Sequence, residues 1–300
     1  MQTLTEIKAL LAGLGAGPSR ALGQNFLIDR NLMGKLLDLA DLTGTETVLE
    51  VGSATGSLTE ELADRAARVV GVELDQRLTP ILADRLGGRE NVTLVAGDVL
   101  AGKHALSPAV LAELAGPGPV HLVSNLPYSV AVPVIANCLL SSWRTVAAGE
   151  RAPGAVRFDR LTFTVQRELA ARLTYDAGGR HYGPAGVLAA LLARATPGRD
   201  IPPTAFWPRP KVLSRMLRLD FNPDAAAALA DADALQTVLS ATFGHRRKKL
   251  SAAARSRGFP YERGAFLAAL EAAGVDADLR PEQVAPEGFL AVANALHGVP

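Results

Sequence analysis

What this 300-residue chain lacks narrows it first. It holds a single cysteine, Cys138, so no intramolecular disulfide can form and a thiolate metal cage is excluded. Its five histidines (His104, His121, His181, His245 and His297) show no metal-ligand spacing, and no metal is expected. No uninterrupted apolar run approaches the roughly 18 residues of a membrane-spanning helix, so no membrane partner is expected. The first residues have neither the basic start nor the long apolar stretch of a secretory signal; Leu4, Ile7, Leu11 and Leu14 fall at the spacing of a short amphipathic helix. A reducing, cytoplasmic location is the expectation. Excess charge is missing too. The 31 basic and 30 acidic residues leave +1, which argues against a protein that coats nucleic acid through bulk charge. What remains is a chain 48% apolar and 20% charged, long enough for two domains or one large one.

Four Val- and Leu-rich runs predict strands in the first half: Thr47–Val51, Arg68–Glu73, Val92–Val95 and Val120–Ser124. Helical spacing separates the first three, with Leu58, Leu62, Ala63 and Ala66 on one face and Leu78, Ile81, Leu82 and Leu86 on another. That rhythm predicts βαβ units and a mostly parallel α/β sheet. Leu161–Gln166 and Val212–Leu219 add two strands, the second alternating like an edge strand. Pro223 interrupts the strand pattern, and Asp224 is an expected N-cap. Beyond it only helices are expected, over 224–243, 245–257, 261–273 and 286–297. The expected division is therefore 1–222 and a helical 223–300, with Ala101–Pro119 and Ser141–Asp159 as insertions.

The tips of the four strands carry the chemistry. Leu49-Glu50-Val51-Gly52-Ser53-Ala54-Thr55-Gly56 is a Gly-rich turn between strand and helix, suited to close approach of a ligand. Glu73 ends the next strand, where a carboxylate can accept hydrogen bonds from a ribose. Asp98 and Asn125 end the third and fourth. Open α/β sheets bind ligands along this edge. A tight turn or a helix cap explains any one of these residues; four in step at near-equal spacing favour a site.

Asn125-Leu126-Pro127-Tyr128 resembles the [NDS]-[ILP]-P-[FYW] signature of enzymes that methylate the exocyclic amine of adenine or cytosine with S-adenosylmethionine. The chemistry suits these residue types. The adenine amine is a poor nucleophile because its lone pair is delocalised into the ring. The Asn125 side-chain oxygen and the Leu126 carbonyl can each accept one amine hydrogen, Pro127 stiffens the loop, and Tyr128 offers a stacking face. Further segments resemble the rRNA adenine dimethyltransferases: Gly23-Gln24-Asn25-Phe26-Leu27, Gln166-Arg167-Glu168, Phe206-Trp207-Pro208-Arg209-Pro210-Lys211-Val212 and Phe243–Leu250. The helical C-terminal part, with Arg280-Pro281-Glu282, is more similar to the small-subunit (16S) enzymes than to those that act on large-subunit rRNA. The resemblance runs from about Arg20 to Leu296.

It implies a Rossmann-like class I methyltransferase sheet and the cofactor S-adenosylmethionine. Gln24, Asn25, Leu27, Gly52, Glu73, Asp98 and Asn125 would line the cofactor pocket. Asn125, Leu126, Pro127, Tyr128 and Phe206 would form the catalytic site, the two aromatics sandwiching a flipped base. The implied partner is small-subunit rRNA within the 30S subunit, dimethylated at N6 of two neighbouring adenines in a hairpin loop near its 3′ end, by a monomeric enzyme. One departure stands out: Ala54 occupies a place where family members carry glycine. It keeps open a non-catalytic ribosome-assembly factor, while methylation of large-subunit rRNA or of DNA at adenine is the rival activity. The acid-free run holding Arg246, Arg247, Lys248, Lys249, Arg255 and Arg257 is the expected RNA-binding patch, against the alternative of a solvated helix face.

Overall fold

The computed structural model describes residues 1–148, 155–174, 179, 181–256 and 258–299. Its centre is a seven-stranded sheet in the order β4-β3-β2-β5-β6-β9-β7. The strands are β2 (Thr47–Val51), β3 (Arg68–Glu73), β4 (Val92–Ala96), β5 (Val120–Asn125), β6 (Phe158–Gln166), β7 (Ala193–Ile201) and β9 (Ser214–Phe221). β2 to β6 run parallel, and β9 is antiparallel to both β6 and β7. A two-residue pairing of β1 (Phe26–Leu27) with β8 (Phe206–Trp207) stands apart.

Both faces of the sheet are covered, which is why its central parallel strands β2, β3 and β5 read as largely apolar runs. Successive residues alternate between faces. Val48, Val69 and Val123 pack with α2 (Arg30–Ala40) and α3 (Ser57–Ala63). Their neighbours Leu49, Val70 and Leu122 join a second core with α5 (Pro108–Leu114), α6 (Ala131–Ala148) and α8 (Pro184–Leu192). α4 (Thr79–Leu86) and α7 (Arg167–Thr174) flank β4 and β9. The expected N-terminal helix is α1 (Leu4–Gly13); its Ile7 and Leu11 pack on Phe26, Leu78 and Ile81. α6 meets the length and apolarity of a membrane span, but half of it is buried and it packs on β6, α8 and α9 (Pro223–Ala227).

Several expectations need correction. Val212–Leu219 is not an edge: β9 lies between β6 and β7. The edge on that side is β7, whose polar sequence with Pro197 and Gly198 hid it. Proline is tolerated there because an edge strand, here with a register shift between Pro197 and Asp200, does not need every N–H. Gly198 is required by close approach, since a Cβ would lie 2.7 Å from Met216 Cβ and 2.8 Å from Leu39 Cδ2. Ala101–Pro119 is no insertion but the crossover from β4 to β5; its helix α5 buries Val110 and Leu114 against β2 and β3. Of Ser141–Asp159, the first eight residues complete α6, residues 158–159 begin β6, and 149–154 lie outside the described residues.

The C-terminal part is helical, but its elements differ from the expected ones. Asn222, not Asp224, caps α9, its side chain accepting from Ala225 N. Asp231 then caps a separate α10 (Ala232–Phe243), so 224–243 is two helices. The stretch 245–257 is not an α-helix. Turns lead into a 3-10 segment, Leu250–Arg255, pinned where Leu250 and Ser251 donate to the carbonyls of Leu279 and Ala277. α11 (Arg263–Ala272) and α12 (Pro286–Leu296) follow. Leu235, Phe266 and Phe289 belong to the same apolar cluster as Phe163 of β6, so these helices share a core with the sheet.

Candidate active site

The C-terminal tips of β2, β3, β4 and β5 open into one cleft of about 230 Å³. Gln24, Asn25, Leu27, Gly52, Glu73, Asp98, Asn125, Leu126, Pro127 and Tyr128 all line it. Ten of the eleven expected pocket residues thus converge.

Phe206 is the exception. It is 1% exposed, paired in β8 with Leu27 and packed among Met33, Ile201 and Met216. A ring so enclosed has no free face for a base, and the expected sandwich is not formed. Tyr128 keeps its place in the cleft wall, half-buried, with its hydroxyl 2.6 Å from Ser214 Oγ on β9. Burial pushes its phenol up, so it stays neutral.

The two motifs meet physically. Gly52, at φ 79, would bring a Cβ within 3.2 Å of Pro127 Cγ. Glycine there serves both the turn and the approach of the second motif. Ala54 has a positive φ of 54, uncommon for a residue with a Cβ and costing about 1–2 kcal/mol. The loop compensates on two sides. Ala54 N donates to Glu73 Oε2 at 2.7 Å, and the residue packs against the Ile7–Leu11–Leu78–Ile81 cluster under α1. Glu73 Oε1 accepts from Asp75 N, and burial raises the Glu73 carboxyl.

Asn125 is fixed by neighbours on other elements. Its Nδ2 donates to Asn25 O at 2.9 Å, and its Oδ1 accepts from the Thr164 hydroxyl, its cross-strand partner on β6. That leaves the second lone pair of Oδ1 unclaimed. The amide of Gln24 is held at both ends: Oε1 accepts from Ser19 N, and Nε2 donates to Asp75 Oδ2. Gln24 therefore braces the wall. Asp98 is exposed, lines the cleft, and its Oδ1 accepts from Leu100 N.

Reasoning from sequence missed Glu50. It is 2% exposed and lines the cleft, and its Oε2 accepts from the hydroxyls of Ser53 and Thr59. Its Oε1 has no hydrogen-bond partner among the described residues. Burial pushes the carboxyl up to about 7, opposed by the Thr59 and Ser53 hydroxyls and helped by the nearby Glu73 charge. The signal was available: an acid inside an otherwise apolar strand, just before the Gly-rich turn. Thr164 carried no such signal, because its role depends on strand register.

The basic run is only partly a free patch. Arg246 Nε lies 3.6 Å from Glu282 Oε2, and Lys249 Nζ lies 2.9 Å from Asp278 Oδ2. Arg247, Lys248 and Arg255 are exposed and form no ion pair among the described residues; Arg257 lies outside them. No group of acids, histidines or cysteines among the described residues could hold a metal.

A backbone cradle at the tips of parallel strands, two buried acids and a fixed side-chain amide suit a cationic nucleoside-type cofactor next to a nucleobase amine. Comparison with known proteins points the same way. The sequence profile of the family described as ribosomal RNA adenine dimethylase matches residues 19–297. The chain is 37% identical over 296 residues to ribosomal RNA small subunit methyltransferase A of Phenylobacterium zucineum, covering 98% of this chain and 94% of that one. It is also 37% identical over 295 residues to the protein of the same name from Deinococcus radiodurans, covering 97% and 89%. Among solved structures it resembles a dimethyladenosine transferase from Plasmodium falciparum, with a TM-score of 0.68 and 19% identity over 91% of this chain and 97% of the other.

Proposed function

Since this chain belongs to the ribosomal RNA adenine dimethylase family, we propose that it transfers methyl groups from S-adenosylmethionine to the N6 amines of two adjacent adenines in a 3′-terminal hairpin loop of small-subunit rRNA. The observation that carries this reading is Asn125, held at the tip of β5 with one oxygen lone pair free, in a cleft it shares with the Gly52 loop and Glu73.

The residues present fit the cofactor. The unshared Oε1 of Glu50 is the acceptor for its ammonium, the Gly52 turn leaves room that a Cβ would fill, and Glu73 and Asp98 serve its ribose and adenine. When bound, it supplies an electrophilic methyl group. The protein's part is positioning and polarisation. Asn125 Oδ1 and the Leu126 carbonyl accept the two hydrogens of the target amine, which favours a tetrahedral nitrogen with its lone pair directed at the methyl. Tyr128 stacks on the base, with Ser214 fixing the ring. Pro127, pressed against Gly52, keeps the two halves of the cleft in register. Phe206 supports this wall from the core behind Leu27.

The same reading assigns catalysis to residues 1–222 and RNA contact to 223–300, chiefly through the unpaired Arg247, Lys248 and Arg255. The acceptor is the small subunit during its assembly, the enzyme acts as a monomer, and its place is the cytoplasm. The test is transfer of labelled methyl from S-adenosylmethionine to unmethylated small subunits, with large subunits and DNA in parallel. Incorporation approaching two methyls on each of two adenines supports the reading. Incorporation into large subunits or DNA alone redirects it, and none into any acceptor from folded protein favours an assembly factor.

A further inference from the structure

Asp75 lies behind the cofactor cleft. It follows Glu73 by two residues, is 5% exposed and does not line the cleft, yet it is bonded to three of the segments that do. Its carboxylate accepts four hydrogen bonds. Arg77 donates three of them, from Nε at 2.8 Å, Nη2 at 2.6 Å and the backbone N at 3.2 Å, the last capping the 3-10 turn Gln76–Leu78. The fourth crosses to a distant part of the chain, where Gln24 Nε2 donates to Oδ2 at 2.9 Å. Hydrogen bonds from Arg77 hold the Asp75 carboxyl below the usual carboxylate range, so it stays ionised and only accepts. The backbone of Asp75 serves the other walls. Its N donates to Glu73 Oε1 at 2.7 Å, and Glu73 Oε2 accepts from Ala54 N at 2.7 Å. Gln24, for its part, closes a turn with Ser19: its backbone N donates to Ser19 O, and its Oε1 accepts from Ser19 N at 2.7 Å. Ala21, Leu22, Gly23 and Gln24 of this turn form one wall of the cleft. The chain of hydrogen bonds therefore runs unbroken from Ser19 through Gln24, Asp75 and Glu73 to Ala54. Its direction is fixed, because Ser19 N–H can only donate and the ionised Asp75 can only accept, which allows the Gln24 amide one orientation.

From this arrangement we propose that Asp75 is a positioning residue for S-adenosylmethionine: through Gln24 it fastens the 19–24 turn to the tip of β3, so that this turn, Glu73 and the Gly-rich loop meet the cofactor as one preformed surface. The proposal rests on the methyltransferase reading above and adds to it a residue that never touches the cofactor. Walls already held in place lose little freedom when a ligand arrives, so loosening them is felt as lost affinity. The effect should stop there. Asn25, the next residue after Gln24, is anchored separately, because Phe26 beside it pairs with Trp207 in β8. The Asn25 carbonyl therefore goes on holding the Asn125 amide when the turn is loosened, and transfer from bound cofactor is spared.

The experiment is an exchange of partners across the Gln24–Asp75 bond, read in the full chain by titration with S-adenosylmethionine, by single-turnover transfer to unmethylated small subunits at saturating cofactor, and by thermal melting. Asp75→Asn leaves one oxygen for Arg77 and turns a donor toward the Gln24 donor. Gln24→Glu sets a second carboxylate against Asp75. Each alone is expected to weaken cofactor binding about tenfold, the loss of one hydrogen bond to a charged group. The two together restore the pattern with the charge of the parent: the new carboxylate accepts from Ser19 N and from the new amide. The pair should therefore recover to within about threefold of the parent, a strongly non-additive result. Transfer by Asp75→Asn at saturating cofactor should stay within about twofold of the parent, since the loss lies in binding. Single variants that bind the cofactor as the parent does overturn the proposal, whatever their melting temperature, and so does a pair as weak as the product of its singles. A fall in saturated transfer as large as the fall in affinity also overturns it, by placing the effect on Asn125. If Asp75→Asn does not fold, Gln24→Met cuts the same link while leaving Asp75 paired with Arg77, and unchanged affinity in that variant is decisive against the proposal. A parent that binds no S-adenosylmethionine removes the underlying reading instead.

Discussion

Around the cleft, the polar side chains sit at the tips of four successive parallel strands, and each stands next to a motif visible in sequence. The basic run at 245–255 sits on turns and 3-10 helix, and its charge depends on acids that arrive from 278 and 282. Strand tips converge because a parallel sheet sends every strand out at the same edge. A stretch of like charge has no such rule. Whether it is a patch is decided by what packs beside it, and here two of its members are neutralised. A site made by topology can be read from spacing, and a site made by charge cannot.

The largest effect is expected at Asn125. Asn125→Ala is expected to lower methyl transfer by about a thousandfold while cofactor affinity stays within a few fold, measured by single-turnover rates and a binding titration. An active variant would remove the amine-holding role. Thr164→Val keeps the shape of the side chain but frees the Asn125 amide to turn. It should lower kcat about tenfold with little change in cofactor affinity, and Thr164→Ser should restore most of the loss.

Glu50 comes next, through pH. Its folded pKa of about 7 lies above the ordinary 4.5 because of burial, so between those values the folded state keeps a proton that the unfolded chain has released. This group's contribution to stability is therefore highest below about pH 4.5 and falls as pH rises to about 7, by roughly 3 kcal/mol in all. Glu50→Gln should make the cofactor-free protein more stable at pH 8 than the parent, in urea unfolding, yet bind S-adenosylmethionine more weakly. In the parent, calorimetry should show proton release on cofactor binding near pH 7. No proton release near pH 7 would mean that Glu50 does not meet the cofactor's cation.

The basic run gives a sharper contrast of smaller size. Arg247→Ala with Lys248→Ala should flatten the salt dependence of rRNA binding by about 1.5 in slope, since each contributes about 0.7–0.9. Arg246→Ala with Lys249→Ala should change the slope less, because those charges are already answered by Glu282 and Asp278. Equal slopes for the two pairs would erase the distinction drawn between them. The smallest effect is expected at Ala54→Gly. Relief of the left-handed strain is offset by glycine's greater chain entropy and by lost packing under α1, so unfolding free energy should move by less than about 1 kcal/mol.

Legibility followed the physics of each element. The strands β2, β3 and β5 were readable because both of their faces are buried and most of their residues are apolar, and β4, an edge strand, because its short run is still rich in Val and Leu. β7 was not, because an edge strand with Pro197 and Gly198 has no apolar period to read. Glu73 and Asn125 were readable as terminal residues of such strands. Glu50 sits one residue before the end of β2; its place among apolar residues is visible in sequence, but that its carboxyl lines the cleft emerges only from packing. Phe206 was misplaced because an aromatic in a conspicuous motif suits a binding face and a core equally well until its strand partner, Leu27, is known.

By itself, the sequence determined the parallel sheet, the edge at which a ligand binds and the chemical type of each group presented there. These follow from periodicity and from residue identity at strand ends, both local properties. Tertiary structure alone decided that Thr164 holds Asn125, that Ala54 adopts a left-handed conformation braced by Glu73 and α1, that Phe206 is core, and which lysines and arginines remain free. Those depend on register, burial and through-space charge between residues far apart in the chain, quantities that exist only once the chain has packed.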